Sequence, residues 1–223
     1  MTAGSAASGA LLELVAVMDR LRSPGGCPWD AEQTHASLAP YLLEETYEVL
    51  EALDSGDRAH LREELGDLLL QVVFHARLAE EHPADPWGLD EVARGIVDKL
   101  VARHPHVFAD VVVDGAAGVE ATWDALKAAE KQRTSVLDGI PAALPALARA
   151  AKVLGRLERS GLGVPLDTGD DSYGPRLLAL VAEARAAGVD PDAELRRTTT
   201  ALAERIATVE AGAGRSAAAT RER

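Results

Sequence analysis

Residues 42–76 carry the feature that most constrains the fold, because carboxylates and large apolar side chains are interleaved there at helical spacing. The stretch reads LLEETYEVLEALDSGDRAHLREELGDLLLQVVFHA. Apolar residues recur every three to four positions on both sides of the segment 53–57, as they do along α-helices. Ser, Gly and Asp within that segment are turn formers, and Asp57 is a candidate N-cap. The sequence therefore predicts two helices joined by a tight turn.

The first of these helices, over residues 42–53, separates its charges from its leucines. On a helical wheel the large apolar side chains fall on one side, Glu44, Glu48 and Glu51 fall on the other, and Glu45 lies at the flank. Taken alone, this distribution is typical of an acidic face in contact with water.

The second helix places acids where a core is expected. Between residues 65 and 74 apolar side chains cover nearly its whole circumference, which predicts burial, yet Glu64 and Asp67 lie one turn apart on it. Buried carboxylates without partners cost several kcal/mol. Arg58 and Arg62 are the only arginines or lysines between residues 42 and 76. A hard divalent cation such as Mg²⁺ solves this problem, since it binds carboxylate oxygens and keeps water in its other positions.

The spacing of the acids supports a metal site. Glu45 and Glu48 are separated by three residues, as are Glu64 and Asp67, so each helix presents two carboxylates on one face. An antiparallel hairpin can bring the two faces together, and Gly66 is expected to allow close packing of the helices. A metal site is the favoured interpretation, and a solvated acidic face is the alternative.

Helical periodicity continues through the rest of the chain, and β-branched alternation is limited to a short run of valines at 111–113. Pro- and Gly-containing segments at 23–30, 81–88 and 104–115 predict the breaks, and Asp90 is a second candidate N-cap. The predicted helices lie at about 10–22, 36–54, 58–81, 89–103, 118–132, 142–159, 173–187 and 191–210.

Composition limits the possible partners and compartment. The formal net charge of −13 makes a nucleic-acid backbone an improbable partner, although it does not exclude free nucleotides. Cys27 is the single cysteine, so no internal disulfide can form, as expected for a protein of the reducing cytoplasm. No uninterrupted apolar run approaches the length of a membrane span.

Four motifs resemble the first domain of the MazG nucleoside triphosphate pyrophosphohydrolases. They are GGCPWDAEQTHASLAPYLLEETYEVLEAL, REELGDLLLQVVFHARLAEE, DKLVARHPHVFAD and TWDALKAAEK, in that order. The resemblance covers about residues 11–160. It implies an all-α, MazG-like helical bundle that assembles as a homodimer. It further implies an enzyme that uses Mg²⁺, or Mn²⁺ in its place, to hydrolyse nucleoside triphosphates to the monophosphate and pyrophosphate.

The resemblance also implies roles for individual residues. The metal ligands are expected to be Glu45, Glu48, Glu64 and Asp67. Glu44 and Glu48 are expected to take part in catalysis, Glu44 by holding a second ion or by orienting the attacking water. Substrate contacts are expected from two pairs of residues, each with helical i, i+4 spacing: Lys99 with Arg103 on the phosphates, and Trp123 with Lys127.

The C-terminal half resembles a shortened second copy of the same module. The motif ELGDLLLQVVFHAR at 64–77 aligns with SYGPRLLALVAEAR at 172–185, so that Ser172 and Pro175 stand where the first copy has its two acids. Ala201 occupies the place of Lys99, although Arg205 is retained. The expected organisation is a flexible leader at 1–10, a catalytic domain at 11–135, a linker helix with a degenerate module at 136–210 and a disordered tail at 211–223.

Two alternatives to a general nucleoside triphosphate pyrophosphohydrolase stay open at this point. One is a more selective enzyme, such as a dUTP or phosphoribosyl-ATP pyrophosphohydrolase. The other is a helical scaffold or regulatory dimer without activity. Intact acidic motifs in the N-terminal half favour an enzyme, because a decayed site is expected to show losses like those of the C-terminal half.

Overall fold

The computed structural model describes residues 4–109, 111, 115, 118, 119, 123, 134–166 and 172–221. The chain divides into two compact units, Met1–Lys127 and Ala128–Arg223, a boundary slightly before the predicted one at 135. All regular secondary structure in the described residues is helical, which confirms the predicted all-α class. The first unit contains α1 (Gly4–Arg22), α2 (Pro28–Glu32), α3 (His35–Ser55), α4 (Arg58–Ala79), α5 (Leu89–Arg103) and α6 (Pro105–Phe108). The second contains α7 (Ala146–Ser160), α8 (Tyr173–Ala186) and α9 (Pro191–Arg221).

Local capping defines the hairpin of α3 and α4 that the sequence predicts. Thr34 begins α3 with a capping box that includes Ser37. Gly56 ends α3 at φ 71°, a conformation that favours glycine. Asp57 then accepts hydrogen bonds from the backbone N–H groups of Ala59 and His60, at 2.8 and 3.1 Å. These contacts confirm Asp57 as an N-cap, and they keep its pKa below the usual value.

Several helix boundaries differ from the predicted ones. Gly88, not Asp90, is the N-cap of α5, and Asp90 lies inside the first turn, where it pairs with Arg94 at 2.6 Å. The first helix begins at Gly4 within the expected leader, and α9 continues to Arg221 through the expected tail. Both extensions are rich in alanine, which has the highest helix propensity. The predicted helix at 118–132 lies almost entirely outside the described residues.

The core of the first unit forms where α1, α3 and α4 meet. Its buried side chains are Met18, Leu38, Val73, Phe74 and Leu78. Leu14, Val15, Leu70 and Leu89 pack against them at the periphery. No helix among the described residues has the length and apolarity needed to cross a bilayer.

An arginine network fixes α1 and α2 against α4. The Arg22 guanidinium, at the end of α1, makes a two-pronged salt bridge to Glu81 with N–O distances of 2.7 and 2.9 Å. It also donates to the backbone carbonyl of Asp30 in α2. Arg77 pairs with Glu81 at 2.9 Å and with Asp19 at 2.8 Å. The two arginines hold the pKa of Glu81 below its usual value, Arg22 contributing most.

The second unit has a small interior built by α7 and α8. Leu154 and Val181 are buried there. Gly155 lies so close to the Arg185 guanidinium that an added Cβ would meet a guanidinium nitrogen at 2.6 Å. Arg185 in turn pairs with Glu158 at 2.8 Å. A larger residue at position 155 would therefore displace the Arg185 guanidinium from its present position.

Candidate metal centre

Glu45 and Glu48 lie on the packed side of α3, although the helical wheel places Glu48 opposite the large apolar side chains. Leu38 and Ala52 are both buried. Glu45 and Glu48 fall on the same side of the helix as these two residues, since separations of three, four and seven positions return to one face. Leu42, Leu43 and Leu53 are exposed instead. The apolar side of the wheel is therefore only partly the inner side of α3, because Val49 and Leu50 are half-buried.

Three carboxylates converge between α3 and α4. An oxygen from each of Glu45, Glu48 and Glu64 lies within 4.8 Å of the other two. Glu45 and Glu48 are half-buried, whereas Glu64 is buried, with 8% of its surface exposed. A group of three acids at this separation is unfavourable without a cation, and the donor set is the all-oxygen type that suits Mg²⁺ or Mn²⁺.

Asp67, the fourth predicted ligand, acts on this group through its charge. The pKa of Glu45 is raised above its usual value, first by burial and then by a side-chain hydrogen bond with Glu48. The negative charges of Asp67, Glu48 and Glu64 raise it further. Asp67 lies outside the group of three, so its effect on Glu45 is electrostatic and its role as a fourth ligand stays a prediction.

His60 is a member of this centre that sequence reasoning missed. Its Nε2 lies 3.0 Å from Oε1 of Glu64, one turn along α4. The i, i+4 spacing of His60 and Glu64 in the sequence was the available signal. A histidine at this distance can donate a hydrogen bond to the carboxylate and so restrict its orientation.

Glu44 is exposed and lies outside the group of three carboxylates, and its catalytic role stays a prediction. Two further expectations for this region need correction. The second helix is not buried all round, because Leu65, Leu69 and Val72 are exposed on α4. Gly66 is exposed as well, and a Cβ added there would meet no atom within 4 Å. Gly66 therefore does not set the packing of α4 against α3.

The predicted phosphate-binding residues of α5 occupy different environments. Lys99 is exposed, whereas Arg103 is buried, with 6% of its surface exposed. The Arg103 guanidinium lies over the Trp123 ring, with its carbon 5.8 Å from the ring centroid. His104 packs against the same ring at right angles, 4.8 Å between centroids. The structure thus brings Arg103 and Trp123 together, and Lys127 lies outside the described residues.

Residues 33–108 match the model of the MazG nucleotide pyrophosphohydrolase domain. This range contains α3, α4, α5 and all four predicted metal ligands. A Thermotoga maritima protein named nucleoside triphosphate pyrophosphohydrolase/pyrophosphatase MazG is 36% identical over 222 residues, covering 89% of this chain and 84% of the relative. The chain belongs to the MazG family.

Other MazG-family relatives are more similar over shorter lengths. The nucleoside triphosphate pyrophosphohydrolase of Escherichia coli K12 is 49% identical over 152 residues, which are 66% of this chain and 57% of the relative. The one from Mycobacterium tuberculosis is 51% identical over 152 residues, 68% of this chain and 46% of the relative. This chain therefore spans about half the length of these two enzymes.

Proposed function

We propose that the chain is a metal-dependent nucleoside triphosphate pyrophosphohydrolase. In the reaction, water attacks the α-phosphorus, the bond to the α,β-bridging oxygen breaks, and the products are a nucleoside monophosphate and pyrophosphate. The observation that carries the proposal is the convergence of Glu45, Glu48 and Glu64, with Asp67 beside them, in a chain of the MazG family. A centre of four acids repels a triphosphate, so a cation is required before this substrate can bind.

Mg²⁺ fits the residues of this centre, and Glu45, Glu48, Glu64 and Asp67 would hold it. When bound, Mg²⁺ neutralises phosphate charge and lowers the pKa of coordinated water. His60 orients the Glu64 carboxylate by its contact at 3.0 Å. The buried position of Glu64 restricts its motion further.

We assign the remaining roles to the predicted residues. Glu44, exposed one position before Glu45, is proposed to orient the attacking water or to hold a second ion, and Glu48 is proposed to share in catalysis. Lys99, Arg103 and Lys127 are proposed to contact the phosphates, with Trp123 as a further substrate contact. Because the Trp123 ring lies against Arg103, the ring is suited to holding that guanidinium in one orientation.

A homodimer is part of the proposal. Six large apolar side chains of the hairpin are exposed: Leu42, Leu43 and Leu53 on α3 and Leu65, Leu69 and Val72 on α4. Side chains of this size over two adjacent helices form a larger apolar surface than single exposed leucines do, and such surfaces mark interaction sites. A second copy of the hairpin is the proposed occupant.

Product analysis is the experiment that tests the proposed activity. The full chain is incubated with a panel of nucleoside triphosphates, including dUTP and phosphoribosyl-ATP, with Mg²⁺, with Mn²⁺ or with EDTA, and the phosphorus products are separated. We expect monophosphate and pyrophosphate with either metal and neither product with EDTA. Glu48→Gln should remove most of the activity, whereas Glu51→Gln, at an exposed position on the same helix, should not.

Each other product pattern has a defined meaning. Release of inorganic phosphate and a diphosphate would replace attack at the α-phosphorus with attack at the γ-phosphorus. Turnover of one member of the panel alone would identify a selective enzyme in place of a general one that removes unwanted nucleotides from the pool. An inactive chain that still dimerises would favour the scaffold alternative.

A further inference from the structure

An aromatic pair on the first unit has no role in the activity as proposed above. Trp29 in α2 and Tyr41 in α3 pack edge to face, with ring centroids 5.9 Å apart and an interplanar angle of 77°. Both remain exposed, to 50% and 41%. Aromatic rings prefer this arrangement, but the pair would stabilise the fold more if both rings were buried. Two adjacent rings left in water form a surface on which a flat apolar group can stack.

The pair lies beside the carboxylate centre. Tyr41 precedes Glu45 by one turn of α3 and Glu48 by two turns, so all three are on the same side of the helix. Four residues of helix correspond to a rise of about 6 Å. A nucleotide has similar proportions, since one ribose separates its α-phosphate from its base. A triphosphate held at the carboxylates would therefore bring its base to these two rings.

The backbone of the short helix that carries Trp29 is held by side chains of the same unit. Gln33, which is buried, donates from Nε2 to the Trp29 carbonyl at 2.9 Å. Its Oε1 accepts a hydrogen bond from Ser37 Oγ at 2.7 Å. Arg22 anchors the next residue through the Asp30 carbonyl. A short helix fixed at two points loses little freedom when a ligand stacks on it, which favours binding.

We propose that Trp29 and Tyr41 bind the nucleobase by stacking and determine how strongly the enzyme prefers nucleotides to other triphosphates. This inference rests on the proposed function, because it places the phosphates at the carboxylate centre. Trp123 is less suited to this role, since Arg103 and His104 already contact its ring. Stacking on an aromatic ring tolerates every base, because each base has a π-face. The pair therefore predicts a preference for nucleotides with weak discrimination among bases.

The test compares ATP with ribose 5-triphosphate, which has the same phosphates and no base. The measured quantity is the ratio of their kcat/KM values, determined for the full chain with Mg²⁺. In Trp29→Leu and Tyr41→Leu we expect this ratio to fall by about 10- to 100-fold, mainly through KM for ATP. Trp29→Phe, which keeps an aromatic face, should recover most of the preference. Tyr47→Leu is the matched control, because Tyr47 is exposed on the same helix but points away from the Tyr41 side.

The outcomes separate this inference from the proposed function. If the ratio of kcat/KM for ATP to that for ribose 5-triphosphate is the same in Trp29→Leu, Tyr41→Leu and Tyr47→Leu, the stacking role is refuted. The proposed hydrolase activity would be unaffected by that result. If the wild-type chain hydrolyses neither compound, the proposed function fails. The stacking role is then tested by calorimetry, which measures the binding of ATP carrying an NH group at the α,β-bridge. Weaker binding by Trp29→Leu than by Tyr47→Leu would support the aromatic site even so, and equal binding would refute it.

Discussion

The substitution Glu45→Gln tests whether the carboxylate centre stores electrostatic repulsion that a metal relieves. Two unit charges 4.8 Å apart, the limiting separation of the oxygens of Glu45, Glu48 and Glu64, repel by about 1 kcal/mol in water and by about 3 kcal/mol at an effective dielectric constant of 20. Because Glu45 is only half-buried, the smaller figure applies. Without metal, we expect Glu45→Gln to unfold at a temperature about 2–5 °C above wild type.

Added Mg²⁺ should reverse the order of the two proteins. A ligand at 100 times its Kd stabilises the folded state by about 2.7 kcal/mol. The wild type should gain this stabilisation, whereas Glu45→Gln has lost a ligand and should gain much less. Thermal unfolding with EDTA and with a Mg²⁺ titration measures both effects. Glu51→Gln, which neutralises an exposed acid outside the centre, is the control and should behave like the wild type.

The pH dependence provides a second check on the origin of the effect. The pKa of Glu45 is raised in the folded protein, mainly by burial, so ionising Glu45 costs folded-state stability. That cost is absent below the unfolded-state pKa, about 4.3, and it grows as pH rises through the folded-state pKa. The metal-free difference between Glu45→Gln and wild type should therefore be near zero at about pH 4 and larger at pH 7. A variant less stable than wild type without metal at pH 7, or stabilised equally by Mg²⁺, would refute the reasoning.

Three further predictions follow from other contacts. His60→Ala should weaken Mg²⁺ binding by about 10- to 100-fold in calorimetry while leaving the helical circular dichroism unchanged. Unchanged affinity would show that the contact between His60 and Glu64 has no part in metal binding. Burial and the neighbouring His35 lower the pKa of His75, so the unfolded chain binds a proton at this residue before the folded protein does, and stability should fall as pH drops below about 6.5. His75→Phe should flatten the slope of melting temperature against pH in this range. An unaltered slope would mean that other groups cause the pH dependence. A chain ending near residue 160 should keep its Mg²⁺-dependent activity per folded molecule but unfold at a lower temperature, and loss of turnover in a folded, dimeric truncation would show that the C-terminal half contributes to the site.

Local signals in the sequence were sufficient for the hairpin that positions the centre. Gly56 and Asp57 act within one turn of their own position, so their effect can be read without the rest of the fold. The i, i+3 spacing likewise brings Glu45 and Glu48 to one face of α3 whatever that face contacts. By contrast, the contact between Trp29 and Tyr41 joins residues twelve positions apart across a turn. No periodicity in the sequence encodes a contact of this kind.

The orientation of α3 could not be predicted because the helical wheel assumes that the largest apolar side chains face the core of their own chain. In the structure Leu38 and the small Ala52 are buried, whereas Leu43 and Leu53 are exposed. A small inner residue lets the two helices approach closely enough for carboxylates from both to share one cation, which bulky leucines there would prevent. The displaced leucines then need another surface to cover them. Half-buried carboxylates with exposed leucines beside them are therefore what we expect of a chain that, as proposed above, binds a metal between two helices and completes its apolar packing with a second copy of itself.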